Sequence, residues 1–265
     1  MRELTIVFYD ELKQAFLTKK SIFSLLAFVL LFLAAVQWMQ RIQEMFEERF
    51  SDSQVKLGKI FMGILSDRFY DSFPFLENLP IFSFLLFSFS IFALPILIIV
   101  ISYDTLSQEI NDKVFRYFTF RLDIKWVVLS KFAAYALQFA LISAIIWVVS
   151  VLYNKVTDPE LDLINAWQYA FHYWFLTQFI MTNVVAFSVM MSAIFKKPLR
   201  ILMIVTILGG FLFGKIKFLN SYYVEWIKGM YHPLSGPLYI SVATMVVLTV
   251  IYLTIAMVVL KKKDL

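Results

Sequence analysis

The side chains that most often carry out chemistry are scarce in this chain and do not form a catalytic or metal-binding pattern. There are no cysteines, which excludes disulfides, thiolate metal sites and a cysteine nucleophile. The two histidines, His172 and His232, are sixty residues apart without an accompanying acidic pattern, so a metal site is not indicated. Gly58 and Lys59 lack the preceding glycine of a phosphate-binding loop. The sequence therefore predicts neither an enzyme nor a bound cofactor.

Charge is concentrated instead at residues 103–131, between two long apolar segments. This stretch contains nine charged side chains: Asp104, Glu109, Asp112, Lys113, Arg116, Arg121, Asp123, Lys125 and Lys131. An ionised group inside hydrocarbon costs roughly 2.5–3.5 kcal/mol on insertion scales. The stretch is therefore expected to connect two membrane crossings on one side of a bilayer.

The composition places the chain among integral membrane proteins. Hydrophobic residues make up 61% of it and charged residues only 16%, with a mean hydropathy of +0.77. The net charge of +5 could indicate nucleic-acid binding in a soluble protein. In a membrane protein it more often reflects lysine and arginine held against the anionic cytoplasmic leaflet. We expect an all-α, polytopic membrane protein that forms a single domain over residues 1–265.

Apolar segments predict six transmembrane helices, since a crossing needs about 20 residues. They cover residues 21–39, 81–102, 126–153, 168–195, 201–219 and 237–260. The fifth is the weakest, because only residues 201–214 are apolar and glycines weaken that helix. It either crosses or forms a re-entrant or interfacial piece within 201–236. Lys131, near the start of the third span, is expected to extend its ammonium back to the membrane surface.

Residues 2–20 predict an amphipathic helix that lies in the membrane interface. Apolar side chains recur at three- and four-residue spacing, and polar ones fall on the other face. The apolar set is Leu4, Val7, Phe8, Leu12, Ala15 and Phe16, and the polar set is Asp10, Glu11, Lys13 and Gln14. A solvated cytoplasmic tail is the alternative interpretation.

The distribution of positive charge predicts the orientation. Six crossings place both termini on one side of the cell membrane, with the 103–131 stretch and the 196–200 turn. That side carries 15 lysines and arginines, and the other side carries nine over far more residues. By the positive-inside rule, the termini and the 103–131 stretch are cytoplasmic, and residues 40–80 form a long external loop.

Polar residues inside the predicted spans are few. Gln138 lies in the third span, and Gln178 and Asn183 lie in the fourth. They either line a substrate pathway or form hydrogen bonds between helices. No carboxylate falls within these spans, which argues against a proton- or sodium-coupled carrier.

Aromatic side chains accompany the charges of the cytoplasmic loop. Ile110, Val114, Tyr117, Phe118 and Arg121 share one helical face. Such a short helix could press into a socket on a partner protein. Alternatively, Phe115, Phe118 and Phe120 rest in the membrane interface.

The same loop resembles the signature region of ABC transporter permeases of the type-2 exporter class. In that region an Asp leads into an acidic gE-x-E-x-GT, followed by a leucine-rich turn, P-x-x-R, and GK at the third span. The Asp, the first Glu, the Arg and the closing Lys correspond to Asp104, Glu109, Lys125 and Lys131. The chain departs from the pattern at four positions. Lys113 and Val114 stand in place of Gly-Thr, Leu122 in place of Pro, and Ser130 in place of the last Gly.

Two further features extend the resemblance over the full length. The N-terminal helix, with Glu11 and Leu12, is similar to the cytoplasmic elbow helix of that family. Six spans, cytoplasmic termini and a short, broken fifth span also match it.

The resemblance implies a permease subunit whose loop, residues 103–125, forms a coupling helix that docks on a cytoplasmic ABC ATPase. ATP and Mg would be bound by that separate ATPase, and the permease would pair with a second copy or a homologue. Its substrate would be amphipathic or hydrophobic and would move outward. The residues expected to couple to the ATPase are Asp104, Glu109, Asp112, Val114, Phe115, Arg116, Phe118, Arg121 and Lys125.

A second hypothesis is a membrane scaffold that does not transport. In it, the ATPase would drive a mechanical or signalling task, and the external loop at 40–80 would bind an extracytoplasmic protein. The length of that loop motivates this alternative.

Overall fold

The structure is a computed structural model, and it describes six ranges of the chain. These are residues 2–17, 94–103, 105–111, 123–157, 163–195 and 236–263, together with residue 90 and single helical positions at 22, 26, 30, 34, 37 and 41. Five helices are bounded: α1 (Arg2–Leu17), α2 (Ser107–Asn111), α3 (Ile124–Thr157), α4 (Leu163–Ile194) and α5 (Gly236–Lys262). Residues 94–102 are also helical, and these ranges contain no strand.

Three of the helices are long and apolar enough to cross a membrane. Their apolar stretches are Ile124–Tyr153, Ala166–Ile194 and Ile240–Lys262, with 30, 29 and 23 residues, against about 20 needed for a crossing. The all-helical prediction is therefore confirmed for the described residues, and the length and apolar composition of these three helices suggest a membrane protein. Six crossings remain a prediction, because the first, second and fifth predicted spans lie wholly or largely outside the described residues.

Helix α4 is the centre of the packing. It contacts both α3 and α5, and 61% of its apolar stretch is buried, against 39% for α3 and 17% for α5. Aromatic rings fill the α3–α4 contact, where the fully buried Tyr173 stacks between Trp147 and Tyr169 with ring centroids 6.3 and 6.4 Å away. The outer faces of α3 and α5 remain apolar and exposed, as expected of surfaces that meet lipid.

Hydrogen bonds fix the register of these helices. The Ser143 hydroxyl of α3 accepts from Gln178 Nε2 at 3.0 Å and from Trp174 Nε1 at 3.2 Å, both on α4. The Asn183 amide of α4 donates to the Met245 carbonyl of α5 at 3.1 Å. Lipid gives no hydrophobic drive for helices to associate, so bonds of this kind select which faces meet.

The C-terminal end of α4 is held by the end of α5. The first residue after α5, Lys263, donates through Nζ to the carbonyls of Ala193 at 2.6 Å and Ile194 at 3.2 Å. The last carbonyls of a helix have no partner within it and carry partial negative charge, so a lysine is a favourable cap. The ends of α4 and α5 are therefore joined at the side of the membrane predicted to be cytoplasmic.

Candidate functional site: a buried lysine between two carboxylates

The ammonium of Lys131 joins three separate parts of the chain. Its Nζ lies 2.7 Å from Glu11 Oε1 of α1 and 2.7 Å from Glu109 Oε1 of α2. The side chains of Lys131, Glu11 and Glu109 are 2%, 6% and 17% exposed. Lys131 stands two turns into α3, and its ammonium is enclosed by these carboxylates; that it reaches the membrane surface stays a prediction. A buried charge needs a counter-charge, and here it has two.

Helix α1 presents Glu11 to this site. Glu11 and Ala15 are four residues apart, which places them on the same face of the helix, and both are buried. Asp10, Lys13 and Gln14 are exposed, as predicted. The assignment of Glu11 to the solvent-facing side is therefore wrong, because a charged side chain with a buried partner can belong to the packed face.

A second contact holds α1 along α3. The Gln138 amide, fully buried, donates from Nε2 to the Ala15 carbonyl at 2.7 Å. Gln138 follows Lys131 by two turns on α3, and Ala15 follows Glu11 by one turn on α1, so the helices run in the same direction through this contact. Gln138, Gln178 and Asn183 all form bonds between helices, and a pathway role for them stays a prediction.

Helix α2 is attached to α4 through Ser192. The Ser192 hydroxyl accepts from the backbone amides of Leu106 at 2.9 Å and Ser107 at 2.8 Å. The first amides of any helix lack a partner inside it, and a hydroxyl usually supplies one from the residue before the helix. Here that residue is Leu106, which has no polar side chain. The cap therefore comes from a distant part of the sequence.

The charges of the site do not cancel within the described residues. One ammonium faces two carboxylates, and Glu109 Oε2 is buried without a hydrogen-bond partner in the described part of the chain. Burial raises the pKa of Glu109 above its ordinary value of 4.5; Lys131 opposes the rise and Glu11 adds to it. Protonation of Glu109 would remove one of the two negative charges that face Lys131.

The remaining predicted coupling residues divide into two groups. Lys125 is exposed and pairs with Asp123 at 3.0 Å, with its ammonium 5.6 Å from the Trp126 ring centroid. An exposed pair of this kind contributes little stability. The others lie outside the described residues: Asp104, Asp112, Val114, Phe115, Arg116, Phe118 and Arg121.

Two members of the site were missed by sequence reasoning. The pairing of Glu11 with Lys131 had a signal, since a lone cation inside an apolar helix requires a counter-charge when it is buried. Ser192 had none, because a serine in a membrane helix usually bonds a carbonyl of its own helix. No group of three or more histidine, aspartate or glutamate side chains suited to a metal occurs within the described ranges.

We predict that Lys131→Met destabilises the protein strongly, because it leaves Glu11 and Glu109 buried without a counter-charge. Removing one partner of a buried ion pair typically costs about 3–5 kcal/mol, whereas the exposed control Lys125→Met should cost about 0–1 kcal/mol. Unfolding of the purified full chain in lipid micelles would measure both. The triple variant E11Q/E109Q/K131M should regain much of the loss, and equal stability of K131M and K125M would contradict the buried pairing.

We predict that Glu109 makes stability fall as pH rises. Because its pKa is raised in the folded state, the folded chain keeps a proton that the unfolded chain has released. The free energy of unfolding therefore decreases from about pH 4.5 upward through the raised pKa. Equilibrium unfolding at a series of pH values should show a smaller decrease in Glu109→Gln. The neighbouring exposed variant Gln108→Ala should keep the wild-type slope, and an unchanged slope in E109Q would refute the assignment.

Compared with known proteins, the chain matches no family model and no curated protein. What the protein does is therefore inferred from the residues of this site and from the membrane helices that hold them.

Proposed function

We propose that the chain is the membrane-spanning permease subunit of an ATP-driven ABC exporter of the type-2 class. In this proposal six spans place both termini and the 103–125 loop in the cytoplasm. The loop docks on a separate ABC ATPase, which binds ATP and Mg. Two permease subunits, identical or homologous, form the path through which an amphipathic or hydrophobic substrate moves outward.

The observation that carries the proposal is the attachment of α2 to α3 and α4, and through Lys131 of α3 to α1. Glu109 bonds Lys131 of α3, Lys131 bonds Glu11 of α1, and Ser192 of α4 bonds the first amides of α2. A loop that only rested in the membrane interface would need none of these buried contacts. A loop that must transmit a push needs all of them, because a force applied to an unattached segment displaces that segment alone.

The placement of the charged groups supports movement driven by a partner. Both carboxylates of the site lie on α1 and α2, outside the three long apolar stretches of the described residues. The polar groups Gln178 and Asn183 inside those stretches already bond neighbouring helices. The energy for transport would therefore arrive mechanically, through the loop, from ATP hydrolysed elsewhere.

We predict that α2 faces the cytoplasm. The chain has no cysteine, so one introduced thiol gives an unambiguous label. Gln108→Cys, at an exposed position of α2, should react with a membrane-impermeant maleimide only after the cells are permeabilised. Val156→Cys, 79% exposed at the far end of α3, should react in intact cells. Labelling of Gln108→Cys in intact cells would overturn the orientation and the coupling role with it.

We predict that the loop determines both binding and stimulation of the ATPase. The full chain would be co-purified with the ABC ATPase that associates with it in native membranes, and ATP hydrolysis would be measured in lipid nanodiscs. Charge reversals and alanine substitutions across residues 114–121 should abolish complex formation or stimulation, because the loop supplies the docking surface.

Matched changes at Asp10, Lys13 and Gln14, on the exposed face of α1, serve as controls and should leave both properties intact. If the loop variants bind and stimulate the ATPase as wild type does, the coupling role is wrong. If no ABC ATPase associates with the wild-type chain, the exporter proposal itself is wrong.

A further inference from the structure

We propose that Ser192 is a positioning residue that passes displacement of α2 into α4, by a route separate from the ion pair that leads into α3. The transmission part of this inference rests on the proposed function. The attachment itself does not, and it can be tested on the chain alone.

The first turn of α2 depends on α4 for its hydrogen bonds. Leu106, the residue before the helix, has a hydrocarbon side chain, and the Thr105 hydroxyl has no hydrogen-bond partner in the described part of the chain. The Ile110 amide closes the turn onto the Leu106 carbonyl at 3.0 Å. A helix of five residues is too short to be stable alone. Its start is therefore set by a hydroxyl of α4, Ser192 Oγ, which accepts from the backbone amides of Leu106 and Ser107.

Helix α4 can spread a displacement received at Ser192. The next two residues, Ala193 and Ile194, offer their carbonyls to Lys263 at the end of α5. About two and a half turns before Ser192, Asn183 bonds the Met245 carbonyl of α5. A shift of the Ser192 end of α4 would therefore move α5 as well.

The two routes from α2 differ in their chemistry. Glu109 reaches α3 through a charged group, Lys131, which also holds Glu11 of α1. The start of α2 reaches α4 through a neutral contact, in which the buried backbone amides of Leu106 and Ser107 donate to the buried Ser192 hydroxyl. A change of charge at Lys131 should therefore affect the α3 route, whereas loss of the Ser192 hydroxyl should affect the α4 route.

The test compares Ser192→Ala with Ser188→Ala in the full chain in nanodiscs. Both serines are on α4 and fully buried, but the Ser188 hydroxyl has no hydrogen-bond partner in the described ranges. Hydrogen–deuterium exchange would be followed in the peptide that covers residues 103–111. Two unsatisfied buried amides should accelerate exchange by roughly 5- to 150-fold in S192A. S188A should match the wild type, and Ser192→Thr, which keeps a hydroxyl, should restore slow exchange.

The second measurement is the coupling ratio of the complex with its ATPase, meaning substrate exported per ATP hydrolysed. S192A should lower this ratio while the complex still forms and hydrolyses ATP, and S192T should raise it again. Unchanged exchange in S192A, equal acceleration in S188A, or failure of S192T to restore protection would refute the attachment. Faster exchange with an unchanged coupling ratio would refute transmission through Ser192. Absence of any ATPase stimulation by the wild type would instead refute the proposed function, and the exchange comparison would still decide the attachment.

Discussion

The described structure depends on one constraint: the buried ammonium of Lys131 must keep carboxylates of the protein as its partners. Lys131 is removed from water almost completely, and its counter-charges come from α1 and α2. If α1 and α2 both moved away from α3, the ammonium would remain buried without a counter-charge, which is far more costly than losing an exposed ion pair. The three segments are therefore held as one unit, although they come from positions up to 120 residues apart in the chain.

Neutral hydrogen bonds extend this unit to the other helices. Gln138 fixes α1 along α3, Ser192 fixes α2 on α4, and Lys263 joins the ends of α5 and α4. Ser143, Gln178 and Asn183 play the same part between the membrane helices. In a bilayer the apolar face of a helix is about equally stable against lipid and against another helix. These few polar contacts therefore select the arrangement of the helices. These contacts connect α2 to α3 and α4 directly, and through them to α1 and α5.

Periodicity and hydropathy predicted the elements but not the site. The apolar runs identified α3, α4 and α5, and the amphipathic pattern identified α1, because both signals are local. The helices extend beyond the predicted crossings: α3 covers Ile124–Thr157, whereas the predicted crossing covers residues 126–153. A helix continues past its apolar stretch until its backbone is interrupted. Glu11 was assigned to the solvent because an amphipathic pattern places charges outward. Its partner is 120 residues away. A lone cation in an apolar helix indicates that a counter-charge is needed, but the sequence does not show which carboxylate supplies it. The contact made by Ser192 was not predicted for a related reason. The amides that donate hydrogen bonds to its hydroxyl depend on where α2 begins.

The length of α3 indicates that the contact of α1, α2 and α3 at Lys131 lies at the membrane surface. Its 34 residues extend over about 51 Å, whereas the hydrocarbon core is about 30 Å thick. The uncharged part of its apolar stretch begins directly after Lys131 and runs to Tyr153, about 33 Å at 1.5 Å per residue, which matches that thickness. If the bilayer covers this uncharged stretch, Lys131 stands where the hydrocarbon begins, at the depth where water is lost as a partner and carboxylates of the protein replace it. In the proposed exporter, a push on α2 would enter α3 at this boundary, and the apolar part of the helix beyond it would carry the displacement across the membrane.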